Sequence, residues 1–221
     1  MIIIEGFQPA KSALSREVPV EFYSVSPAIR QRIKEVFNAE IEPKQAVRRI
    51  VDQVRNRGDA ALFDYTLKID GVELAWLEVS KQQIISAYQE VSPELVSALK
   101  LAAERIGSFH SAQKDNIWRE VSGLGVGQII RPLERIGIYV PGGTACYPST
   151  VLMTAIPARV AGVKEIILVT PPGLNGAVPP PTLVAADIFE TEFGREGVKS
   201  GSRIALAFGT ESVPKVDKIC G

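Results

Sequence analysis

The sequence predicts an α/β fold, with an amino-terminal helical layer followed by an incomplete Rossmann-like domain built on a parallel βαβ unit. Three observations carry this. From Ser26 to about Asn116 apolar residues recur at helical spacing. After Trp118 the texture turns to glycine and β-branched residues, which suit strands and turns. From Arg135 onward strand, glycine turn, helix and strand succeed one another, the order that makes neighbouring strands parallel. With 221 residues, 46% of them hydrophobic and 23% charged, the chain is large enough to bury one sizeable core or two small ones.

The elements follow in order. SPAIRQRIKEVF opens the first helix, with Ser26 as cap and Pro27 at the first helical position. AVRRIVDQVRNRG sets Val47, Ile50, Val51 and Val54 on one face and stops at Gly58, after which Asp59 is expected to cap DAALFDYTLKI. SPELVSALKLAAERIGSFHSAQ repeats the serine-proline entry at Ser92 and Pro93, with Leu95, Leu99, Ala102 and Ile106 at helical spacing. A boundary near residue 133 leaves a mostly helical portion, 1–132, and a Rossmann-like portion, 133–221. The second holds a strand over 135–140, a helix over about 149–161, a strand over 165–169 and the loop PPGLNGAVPPP.

Charge and cysteine usage exclude several classes. Twenty-five basic residues balance twenty-five acidic ones, so no global field collects nucleic acid or an anionic membrane. Cys146 and Cys220 form no spaced cluster, which speaks against a disulfide framework or zinc knuckle and fits a cytoplasmic compartment. The start, MIIIEGFQPAKSALSREV, has an apolar run without a basic leader, unlike a signal peptide, and no run is long enough to span a bilayer.

The stretch IYVPGGTACYPSTVLM bears most on function. The loop at the carboxyl end of a strand in a βαβ unit is where ligands gather, because backbone amides and a helix amino-terminus converge there. Gly142 and Gly143 permit close approach, and Ser149 or Thr150 is expected to cap the next helix. Two readings stand: a turn that holds a nucleotide's phosphates, or a turn that only joins a strand to a helix, since the motif is not GxGxxG. His110, the only histidine, follows Phe109 on a helix without a ligand partner at metal spacing and reads as a packed or solvated residue. Cys146 lies near a helix start but has no histidine close in sequence to serve as its base, and reads as a small filler. The charges of QVRNRGDAALFDY read as a solvated helix face.

RIGIYVPGGTACYPSTVLMTAIPARVAGVKEIILVTPP closely resembles the corresponding run of histidinol dehydrogenases. The resemblance extends upstream through VDQVRNRGDAALFDYTLKIDG and SPELVSALKLAAERIGSFHSAQ and resumes at ALAFGTESVPKVDKICG, colinear with that family's amino-terminal half. It implies an NAD-dependent, zinc-containing oxidoreductase that converts L-histidinol through the aldehyde to L-histidine in histidine biosynthesis, and a homodimer. Portion 133–221 would then be an NAD-binding domain truncated at its carboxyl end. Carried over by residue, Tyr139 matches the family's NAD-contacting tyrosine, with Pro141 beside it. The zinc ligands and the glutamate-histidine acid/base pair of the family have no counterpart here, so neither a catalytic nor a metal-binding residue is assigned, and the chain is expected to be an incomplete, inactive portion.

The segment FETEFGREGVKSGSRI departs from the family pattern, with Gly201 where an NAD-contacting glutamine would stand, and it lacks the apolar pattern of a further strand. Codons for Ser-Gln-Ala-Ala-Ala, read one base early, can spell Lys-Ser-Gly-Ser-Arg, so a pair of compensating frame changes would account for it. Two alternative functions remain: oxidation of another small alcohol by a related NAD-dependent dehydrogenase, or a non-catalytic nucleotide-binding or dimerisation module.

Overall fold

The computed structural model describes residues 6–9, 25–117, 129–142, 145–173, 175–194 and 202–206. It is an α/β arrangement, helices first and then three parallel strands alternating with helices. The chain gathers into two compact units divided between Ala46 and Val47. The change from helices to strands, at Arg135, falls within the second.

Helix α1 (Pro27–Phe37) starts as its sequence predicts: the Ser26 hydroxyl accepts a hydrogen bond from the Ile29 N–H at 3.3 Å, and Pro27 opens the first turn. Its ion pairs, Arg32–Glu35 at 3.4 Å and Lys34–Glu40 at 2.7 Å, are exposed and contribute little. Helix α2 (Pro43–Arg57) buries Ala46, Ile50 and Val54 and stops at Gly58.

Helix α3 (Asp59–Tyr65) departs from expectation at its start. Gly58 is the cap residue and Asp59 the first helical one, so its carboxylate favours the amino-terminal dipole without capping. The helix then widens into a single π-turn, Thr66–Asp70, which ends at Gly71. Helix α4 (Lys81–Glu90) opens with a capping box between Ser80 and Gln83. In α5 (Pro93–Ile117) the buried stripe is Leu99 and Ala103, flanked by the partly buried Val96 and Ile106, whereas Leu95 is 37% exposed. The stripe therefore runs through positions 96 and 103 where 95 and 102 were expected. An apolar side chain at a helix margin satisfies the spacing pattern as well as one at its centre.

Strands β1 (Arg135–Tyr139), β2 (Glu165–Thr170) and β3 (Ser202–Leu206) form one parallel sheet in that order, with Tyr139 opposite Val169 and Val169 opposite Ala205. β3 corrects the reading of 189–204 as lacking a further strand. SRIAL pairs along β2 although only part of it is apolar, because hydrogen bonding to a fully paired neighbour does not require every side chain to be apolar. From Ile166 on, β2 is buried at every residue, as expected of a central parallel strand covered on both faces.

Helix α6 (Pro148–Ala161) follows β1, and α7 (Pro180–Phe193) follows β2. The core joins Val151, Leu152, Ala155 and Ile156 of α6 to Leu183, Val184, Ile188 and Phe189 of α7, with Ile138, Val140, Ile166 and Leu168 from the sheet. Helices α4 and α5 pack on this pair, and the Tyr88 hydroxyl of α4 donates to Asp187 Oδ2 of α7 at 2.8 Å. Among the described residues no helix is long and apolar enough to cross a membrane.

Candidate functional site

The carboxyl edge of the sheet is built by the residues that close β1, 139–142, and by the loop that follows β2. Strand alternation decides what Tyr139 faces. Ile138 and Val140, 6% and 1% exposed, belong to the core under α6 and α7. Tyr139 between them points to the opposite face, shared with its ladder partner Val169, and is 43% exposed. Partial burial, and after it the negative charge of Asp70, raise its phenol above the usual pKa. Pro141 is exposed beside it.

Gly142 has a local reason to be glycine. A Cβ there would lie 3.1 Å from Pro171 Cγ, 3.1 Å from Thr170 Oγ1 and 3.2 Å from the Pro171 carbonyl oxygen. The β1 turn thus presses against the end of β2, and the close approach that the two glycines foretell is, at Gly142, an approach to protein backbone. Gly143 lies outside the described residues, as do Gly201 and the residues beyond Leu206.

The cap of α6 also differs from expectation. Tyr147 is the cap residue, makes no side-chain cap bond, and is followed by Pro148 at the first position. Ser149 and Thr150 lie inside the first turn, where Pro148 has already set the helical backbone angle. Cys146 Sγ lies 3.3 Å from Thr182 Oγ1, tying the β1–α6 loop to the first turn of α7. The loop after β2 is closed by its own bonds, Gly173 N–H to Ala177 O at 2.8 Å and Ala177 N–H to Asn175 Oδ1 at 3.1 Å. His110 stays apart from this edge in its role: its Nδ1 lies 2.9 Å from Gln113 Oε1 on the same helix, and its ring meets Phe109 edge-on.

The edge therefore offers a half-exposed phenol and a proline on a rigid strand end, which suits contact with a flat or dinucleotide ligand. It fits NAD to that extent. Among the described residues no group of three or more His, Cys, Asp or Glu could hold a metal ion. Zinc thus finds no ligand set among them, and no step is derived through it. Sequence reasoning missed Asp70, Pro171 and Thr182, which reach the edge from distant segments that no local spacing connects to Tyr139.

A family profile described as histidinol dehydrogenase matches residues 33–221. The chain is 49% identical over 223 aligned positions to a histidinol dehydrogenase of Dehalococcoides mccartyi, a match covering 100% of this chain and 50% of that relative. It is 50% identical over 183 positions to one of Moorella thermoacetica, covering 79% of this chain and 42% of the relative. The crystal structure of histidinol dehydrogenase from Elizabethkingia anophelis superposes with a TM-score of 0.61 at 32% identity, covering 85% of this chain and 46% of that one. The chain spans about half the length of the curated relatives it matches.

Proposed function

The chain belongs to the histidinol dehydrogenase family, and from that membership we infer that it contributes the dinucleotide-contacting edge of an NAD-dependent enzyme oxidising L-histidinol, by way of the aldehyde, to L-histidine. The observation that carries this reading is Tyr139, 43% exposed at the carboxyl end of β1, in a run that matches the family's tyrosine-proline-glycine turn. NAD, when bound, accepts the hydride. Tyr139 and Pro141 bind and orient it, and the turn at Gly142, packed on Thr170 and Pro171, holds both on a fixed backbone.

The acid/base pair and the zinc site of the family are not matched by residues of this chain, whose one histidine bonds along its own helix. The chain alone is accordingly inactive; full activity, in a cytoplasmic homodimer with zinc, belongs to a protein carrying the other half of the relatives' length. An assay with L-histidinol, NAD and zinc tests this. No turnover above the buffer blank is expected, and turnover abolished by a chelator would overturn the inactive reading. Turnover with another small alcohol but not L-histidinol would instead assign the chain to a related dehydrogenase.

A further inference from the structure

Asp70 reaches the carboxyl edge by an unusual path. Helix α3 widens into the π-turn Thr66–Asp70, a device found frequently at functional sites. Thr66 at its start is fully buried, and one Asp70 carboxylate oxygen at its end is withdrawn from solvent. Two residues on, buried Val72 lies against the loop that follows β2: a Cβ on Gly176 would come 3.4 Å from Val72 Cγ1 and 3.9 Å from Leu74 Cδ2. The π-turn and the strand-end loop therefore meet at one edge. Tyr139 points to the sheet face turned away from the α6–α7 core, and Asp70 is the charged group that acts on its phenol there.

We propose that Asp70 is the positioning residue of Tyr139, its carboxylate accepting a hydrogen bond from the phenol and fixing the ring in the orientation that meets the dinucleotide. This rests on the reading of Tyr139 as a dinucleotide contact. A phenol on a strand end rotates freely unless its polar tip is held, and a carboxylate at the rigid end of a helix holds it with a charge-assisted bond. Asp70 does not touch the reacting atoms; it acts through Tyr139.

Phenolate absorbance, titrated in this chain with Tyr139→Phe as the difference reference, tests the contact directly. Asp70→Asn is expected to move the Tyr139 titration to lower pH, because the neighbouring negative charge is gone. A folded Asp70→Asn protein whose Tyr139 titrates as before overturns the proposal. If Asp70→Asn does not fold, Tyr139→Phe serves from the other side. Its loss of the donated hydrogen bond should raise the Asp70 carboxyl titration followed by carbon NMR, and an unchanged titration is equally fatal.

Adding NAD separates the two readings. NAD that perturbs the Tyr139 signal identically in wild type and Asp70→Asn leaves the dinucleotide contact standing and removes the positioning role. A shifted Asp70→Asn titration with no NAD effect on wild-type Tyr139 leaves the contact between the two residues and removes its function. The expected result is both a shifted titration and NAD affinity weakened about tenfold, the scale of one positioned hydrogen bond.

Discussion

The Tyr88 hydroxyl donates to Asp187 Oδ2 at 2.8 Å and so joins two helices, α4 and α7, that are remote in sequence. Burial first, and then the Asp187 hydrogen bond and charge, push the Tyr88 phenol well above its ordinary range. Tyr88→Phe keeps the ring and deletes the bond, leaving a half-buried carboxylate short of one donor. A loss of about 1.5 to 3 kcal/mol in chemical denaturation is expected, the range for hydrogen bonds to charged groups.

The same pair sets an alkaline limit. The folded phenol holds its proton more tightly than the unfolded one, whose pKa is about 10. Its contribution is thus fully present below about pH 10 and is lost as pH rises through the folded value. Stability measured against pH should fall above about pH 10 in the wild type and fall less steeply in Tyr88→Phe; parallel curves would remove Tyr88 as the cause.

Gly107, in the middle of α5, faces the ring of Phe193 at the end of α7, and a Cβ there would stand 2.7 Å from both Cε1 and Cζ. Gly107→Ala gains up to about 1 kcal/mol of helix propensity. Overpacking costs about 1 to 3 kcal/mol, so net destabilisation is expected. Combining it with Phe193→Leu, which makes room, should cost less than the sum of the two single changes. Additive effects would show that the ring moves aside freely.

Gly142→Ala is the milder case. Its added methyl meets Thr170 and Pro171 at 3.1 to 3.2 Å, tight contacts that a shift of a few tenths of an ångström relieves. A lowered Tm corresponding to about 1 kcal/mol is expected. An unchanged Tm would mean that the turn is loose.

Tyr139→Ala, introduced at the matching position of a full-length relative, should weaken NAD binding by about 1 to 3 kcal/mol. The unfolding temperature should barely move, since the side chain is 43% exposed. A buried core aromatic would show the reverse, with about 3 to 5 kcal/mol of stability lost.

What could be read in advance divides along physical lines. The entries at Ser26 and Ser92, the stop at Gly58 and the strands at Arg135 and Glu165 follow from caps, glycine and β-branched runs, all signals contained within a few residues. Tyr139 was legible for the same reason, sitting in a strand that ends in a glycine turn. The partners that shape the edge were not. Gly142 against Pro171 and Cys146 against Thr182 are contacts made only after the sheet and α7 assemble. β3 was obscured because its pairing with β2 is a property of the neighbour as much as of SRIAL.

The π-turn carries an implication for how such chains are compared. A π-turn holds one more residue than the α-helical register needs, so it behaves as a single-residue insertion absorbed within a helix. Deleting one residue between Thr66 and Asp70 would restore an unbroken helix and leave its length almost unchanged. It would also swing everything after it by about 100° around the axis, the angle per residue set by 3.6 residues per turn. Two chains that differ only by that gap would agree in composition and in helix count, yet would present different residues to the end of β1.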